Sequence, residues 1–119
     1  MSLRDDILVA DDRPFEDVYV PQWNRTVRIR GLTAADSERF AKKVGPDGDK
    51  DVLYTTELVV RCAEDPETGA RLFRPEDTDA LAEKSGAAMG RLFSVAQRLS
   101  GLGDLDDAKK DSAGEAAAS

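Results

Sequence analysis

Between Arg71 and Leu102 two helical patterns meet at Ser85-Gly86, and the second of them sets what the rest of the chain must accomplish. Met89, Leu92, Phe93, Ala96 and Leu99 recur at the i, i+3, i+4 spacing of an amphipathic helix. Ser85 stands where an N-cap belongs, and Gly101 and Gly103 follow where such a helix ends. A helix over 86–99 with this stripe must be covered, either by the remainder of a small domain or by a second protein.

The remainder supplies a strand pair first. Val18 and Val20 alternate with Tyr19 until Pro21, and Thr26, Val27, Arg28, Ile29 and Arg30 resume the alternation. Successive strand side chains face opposite sides, so Val18, Val20, Val27 and Ile29 share the buried face of a hairpin over about 17–30. Tyr19, Arg28 and Arg30 then face the other way, the arginines in solvent. Trp23, the sole tryptophan, falls in the connection, where it either anchors a partner or folds back over a thin core.

Helical patterns follow. Thr33, three residues before Asp36, predicts a helix over about 34–44, with Phe40 and Val44 on one face and Gly45-Pro46 as its stop. A helix over about 52–63 presents Val52, Leu53, Leu58, Val59 and Cys62 before Asp65-Pro66. Glu67-Thr68-Gly69 makes a turn and Leu72-Phe73 an extended apolar pair. Pro75 at the N1 position with Glu76 and Asp77 behind it then opens a helix over about 75–84. The fold class is therefore α+β and predominantly helical: a hairpin packed on about four helices. Residues 1–14 lack a sustained period and read as a flexible or loosely docked arm. Residues 103–119, acidic and alanine-rich, bury too little to offset the entropy of ordering and read as a disordered tail. The intervening 15–102 form one domain.

Charge and residue usage exclude several functions. With 17 Lys and Arg against 24 Asp and Glu, the chain carries a formal net charge of -7, the wrong sign for a protein that grips a phosphate backbone. No apolar run approaches the ~20 residues that span a bilayer, and the aspartates after Arg4 interrupt any secretory core. A soluble, non-exported protein is expected. There is no histidine, which removes the commonest general base and metal ligand. Cys62, the single cysteine, reads as a small buried hydrophobe. The alternating aspartates from Asp47 to Asp51 lack the glycine and the glutamate that a calcium loop requires, since Val52 and Leu58 stand there. No nucleotide-binding or nucleophile-elbow motif is present. No catalytic, metal or cofactor residue is assigned, and a non-enzymatic role is expected.

The order of segments carries a family likeness. The carriers are Val20-Pro21-Gln22-Trp23, Val27-Arg28-Ile29-Arg30-Gly31-Leu32-Thr33, Leu72-Phe73, Leu81-Ala82-Glu83-Lys84-Ser85, Arg91-Leu92-Phe93 and Leu99-Ser100-Gly101-Leu102, followed by an acidic tail. Over Glu16 to Leu102 the chain resembles the tail assembly chaperones of long-tailed, siphovirus-like bacteriophages and prophages. The stretch from Gly45 to Lys50 and Arg74 before Pro75 are individual to this chain.

That resemblance implies a protein of the host bacterial cytoplasm that binds the long, helical tape measure protein and keeps it soluble. It further implies help in recruiting major tail protein, and absence from the mature virion. It also implies a longer form made by translational frameshift, for which Lys109-Lys110 marks a candidate slippery site. Self-association is left open. The candidate protein-binding residues are Trp23, Leu92, Phe93, Val95 and Leu99, and core packing competes with partner contact for each. The alternative reading is a structural head-tail joining or tail completion protein.

Overall fold

The amphipathic stripe between Met89 and Leu99 becomes the central helix of the domain. In the computed structural model, which describes residues 2–48 and 53–102, the elements run α1 (Leu3–Val9), β1 (Phe15–Val20), β2 (Arg25–Arg30), α2 (Ala34–Val44), α3 (Tyr54–Cys62), β3 (Ala63–Glu64), a 3-10 turn (Pro75–Asp77), α4 (Thr78–Ala82) and α5 (Gly86–Leu99). The C-terminal tail, Lys109-Lys110 and the end of the aspartate-rich loop lie outside the described residues.

One three-stranded antiparallel sheet, in the order β1-β2-β3, forms the floor. β1 and β2 pair from Phe15↔Arg30 to Val20↔Arg25, and β3 joins through Arg28↔Glu64 and Ile29↔Ala63. This register turns Val18, Val20, Val27 and Ile29 to the inner face, where all four are buried, as the alternation predicts. α5 lies on that face and packs on its other flank against α3. Ala88, Met89, Leu92, Val95 and Ala96 of α5 meet Leu58, Val59 and Cys62 of α3 in one core with Phe40 and Leu81. Three aromatic rings tie the helices together: Phe40 to Tyr54 at 4.9 Å and Tyr54 to Phe93 at 5.5 Å, both edge to face.

The helix caps form where the sequence places them. Thr33 Oγ1 accepts from Asp36 N at 3.1 Å, and Ser85 Oγ accepts from Ala88 N at 3.2 Å. Elsewhere the structure corrects the sequence reading. Leu53 is 57% exposed, because it is the extended N-cap of α3 and not part of its apolar face. At the other end of α3, Ala63 leaves the helix to pair with β2 as part of β3, a strand the sequence did not announce. The expected helix over 75–84 is a 3-10 turn followed by the short α4, since the Asp77 carboxylate accepts from Arg74 N at 2.8 Å and tightens the first turn. Residues 3–9, without a long apolar period, nevertheless form α1.

Arg28 and Arg30 also differ from expectation. Their side chains are 20% and 17% exposed, not free in solvent. Arg28 makes a two-point bond to Asp17 at 2.8 and 3.2 Å, and Arg30 Nε donates to both oxygens of Glu64 at 3.1 Å. Both guanidinium groups stand over the Phe15 ring, at 4.2 and 4.9 Å. These ion pairs thus occupy the outer sheet face, where Phe15 and Tyr19 stay about half exposed. The Arg28 hydrogen bond holds the Asp17 carboxyl below the usual carboxylate range.

Candidate protein-binding surface

The hairpin turn positions Trp23. Two successive turns build it, with Trp23 N donating to Val20 O at 3.1 Å and Asn24 N to Pro21 O at 3.2 Å. Asn24 takes the left-handed conformation, φ 51°, that a tight reversal into β2 needs, and its side-chain oxygen accepts from the Tyr19 hydroxyl at 2.7 Å. The indole, partly buried, is thereby held beside the end of β2.

A second reversal supplies the facing wall. After β3, Asp65 organises the turn: Gly69 N donates to Asp65 O at 2.7 Å, Glu67 N to Asp65 Oδ1 at 2.8 Å, and Asp65 N to Ala70 O at 2.9 Å. Gly69 has φ 73°, which a residue without Cβ adopts at no steric cost. The returning chain bridges Glu64 to Arg71, and Leu72 N donates to Ala63 O at 3.0 Å, so Leu72 and Phe73 come to lie across from the hairpin turn. Between the two reversals opens a groove of about 540 Å³. Trp23, Val27, Pro66, Leu72 and Phe73 give it an apolar lining, and Arg25, Asp65 and Glu67 charge its rim. A volume of this order admits a few large side chains of a partner, with the rim charges left to fix orientation.

The five residues singled out in the sequence separate into two groups. Trp23 lines the groove. The four on α5 do not join it: Leu92 is fully buried and Val95 is 8% exposed, both inside the core. Phe93 is partly buried against Tyr54, and Leu99 is partly buried beside a smaller hollow of about 340 Å³ lined by Arg13, Pro14, Leu32, Thr33 and Ser100. Within the domain, then, the α5 stripe is spent on the sheet and α3. Leu72 and Phe73 are the groove residues not singled out. Their signal was an apolar pair beside the Glu67-Thr68-Gly69 turn, where covered core is not expected.

A buried charge network outside the groove is structural. Glu57, 6% exposed, accepts from Arg61 Nε at 2.7 Å and faces Lys43 at 3.4 Å, while Asp36 stands 3.8 Å from Arg61 and 3.1 Å from Arg39. This network fastens α2 to α3. Cys62 is buried, and desolvation pushes its thiol up to about 11, which keeps it protonated and unreactive at neutral pH. Among the described residues no group of three or more Cys, Asp or Glu could hold a metal ion, and no helix is long and apolar enough to cross a membrane.

No family model and no curated protein matches the chain. Among solved structures it is similar to the tail assembly chaperone of bacteriophage HK97, with 18% sequence identity and a TM-score of 0.60. The similarity covers 85% of this chain and 96% of that one, so the two share a fold over nearly all of the smaller structure.

Proposed function

We propose that this chain is a tail assembly chaperone of a long-tailed bacteriophage or prophage. In this reading it binds the tape measure protein in the host cytoplasm, keeps it soluble and helps bring major tail protein to it. It leaves before the virion is complete. The observation that carries the reading is the fold shared with the HK97 chaperone over 96% of that protein. Shared fold alone does not fix function, and the site adds independent support. An apolar groove on two surface reversals is suited to capturing exposed apolar side chains of a client. A net charge of -7 keeps such a complex in solution.

Co-expression with a phage tape measure protein, the long helical client the reading requires, tests the proposal. The client is expected in the soluble fraction, and in complex with this chain, only when the chain is present. Equal solubility without it overturns the reading. Composition of purified particles separates the head-tail joining alternative, because a joining protein persists in the virion and a chaperone does not.

A further inference from the structure

β2 is paired along its whole length on one side and along only part of the other. β1 accompanies it from Phe15↔Arg30 to Val20↔Arg25, whereas β3 meets it only at Arg28↔Glu64 and Ile29↔Ala63. Arg25, Thr26 and Val27 therefore have no strand beside them on the β3 side, and all three line the Trp23 groove. The side chains of Thr26 and Val27 point to opposite faces of the sheet, so a groove that touches both runs along the backbone edge between them.

The register determines which backbone groups that edge offers. Gly31 N donates to Pro14 O at 3.0 Å, one step beyond the Phe15↔Arg30 pair. Directly opposed residues of an antiparallel ladder alternate between bonded and unbonded pairs, so Ile29, Val27 and Arg25 turn their N–H and C=O to β1, and Arg28 and Thr26 turn theirs to the other side. Arg28 meets Glu64 there. In the same register Thr26 would meet Pro66, which has no N–H to give. The chain has also turned away by then, with Asp65 N donating to Ala70 O and Gly69 N to Asp65 O. Among the described residues no backbone group bonds the Thr26 N–H or C=O on that side, and Thr26 is exposed. The groove wall thus holds one free backbone donor and one free acceptor beside the apolar lining of Trp23, Val27, Leu72 and Phe73.

Charge marks the same gap. Arg25 and Glu67 would oppose one another in the continued register and both line the groove, yet neither closes an ion pair with any described residue. These features select the conformation of the occupant. In the middle of a helix every backbone N–H and C=O is bonded within the helix, so a helical stretch of client has nothing for Thr26. An extended stretch presents a donor and an acceptor on one edge at every second residue, as in strand addition to an open sheet edge. Its alternate side chains then enter the apolar lining, and flanking residues of opposite sign meet Arg25 and Glu67. We infer that the groove takes an extended, non-helical stretch of the tape measure protein, apolar with one acidic and one basic flank, which adds to β2 through the Thr26 N–H and C=O. This rests on the chaperone reading above and specifies how that client is held.

Amide hydrogen exchange resolved at Thr26, on the full chain alone and in its soluble complex with a co-expressed tape measure protein, tests the inference. Alone, the Thr26 amide is expected to exchange as an unbonded one at low and high protein concentration, unlike that of Val27. In the complex it is expected to slow by about tenfold or more. Thr26→Pro deletes the donor and spares the β1 ladder, because that N–H points away from β1, and is expected to weaken the complex about fivefold. Thr26→Val keeps the donor and suits a strand, and is expected to bind within about twofold of the parent. Arg25→Glu and Glu67→Lys are each expected to weaken the complex severalfold, less so at high salt, and no effect from either overturns the two-signed occupant. A Thr26 amide as fast in the complex as alone overturns the inference and leaves the chaperone reading standing, whether or not Thr26→Pro folds. Thr26→Val weakening the complex as much as Thr26→Pro overturns it as well, since the side chain would then be the contact. Protection that grows with concentration of the chain alone assigns the edge to a second copy and overturns it too. A tape measure protein that forms no complex with the parent overturns both readings.

Discussion

Gly31 hands the chain from β2 toward α2, and its α-carbon lies against the last turn of α5. A methyl group there would stand 2.3 Å from the Leu99 carbonyl oxygen, closer than the 3.0 Å that real Cβ contacts respect. The obstacle is backbone, so no rotamer change relieves it, and the two segments must part by about 0.7 Å. Both are fastened: Gly31 through Arg13 and Pro14, and the α5 end through Leu32 N donating to Ser100 Oγ at 3.1 Å. Overpacking of this kind costs about 1–3 kcal/mol, and losing the Leu32–Ser100 hydrogen bond adds about 1 kcal/mol. Gly31→Ala should therefore destabilise by roughly 2–4 kcal/mol, or a Tm loss of ~10–25 °C for a domain of this size. Gly90 is the internal contrast. It sits mid-helix in α5 with no atom within 4 Å of an added Cβ, so Gly90→Ala should stabilise by ~0.8–1 kcal/mol through helix propensity. Urea and thermal unfolding, read by circular dichroism and Trp23 fluorescence, measure both. A Gly31→Ala protein within about 0.5 kcal/mol of the parent would refute the contact between β2 and α5 on which the packing account depends.

Three further outcomes follow from the core. Leu92→Ala, at a fully buried position, should cost about 2–5 kcal/mol in urea unfolding, and a near-neutral result would return Leu92 to the surface. Glu57→Ala leaves Arg61, 16% exposed, with only the 3.8 Å contact to Asp36, and should cost about 3 kcal/mol by the same measurement. Cys62 should react with a thiol reagent at pH 8 far more slowly in the native chain than in denaturant, because a thiol pushed up to about 11 is ionised to only ~0.1% there. The sign for stability follows: the native state keeps a proton that the unfolded chain releases near its ordinary thiol range. The contribution is whole below about pH 8.5 and is lost as pH rises toward 11. Native labelling as fast as unfolded labelling would contradict the burial.

Elements governed by local periodicity and capping were legible in the sequence. α2 and α5 have the expected bounds because Thr33 and Ser85 cap them and Gly45 and the Ser100-Gly101 turn close them. The inner face of the hairpin followed from alternation alone. Features decided by distant partners were not legible. β3 exists because β2 offers Arg28 and Ile29 to it, and Glu57, beside Arg61 one turn along its own helix, is buried where Lys43 of α2 reaches it. Arg28 and Arg30 were read as solvated because nothing local says that Asp17, Glu64 and Phe15 will converge on them. The candidate surface was half legible for the same reason. Trp23 stood out by its rarity, whereas the groove needs Leu72 and Phe73, brought opposite it only by the return of the chain along β3.

That division predicts how binding and folding come apart. The α5 stripe holds the core, so under the proposed chaperone reading substitutions at Leu92 or Val95 act on client capture only by unfolding the domain, and their binding defects should track their loss of stability. The groove rests on two surface reversals, where binding residues can change without emptying the core. Leu72 is 38% exposed, so Leu72→Ser removes only part of a buried side chain and should cost about 1–2 kcal/mol in urea unfolding, less than Leu92→Ala. If the groove takes apolar side chains of the client, the same substitution should lower the fraction of client held in solution on co-expression, with the domain still folded. Trp23 fluorescence reports independently, since the indole lines the same groove and its emission should shift blue when a client side chain displaces water. A Leu72→Ser chain that keeps full client solubility and the full spectral shift would move the contact surface elsewhere.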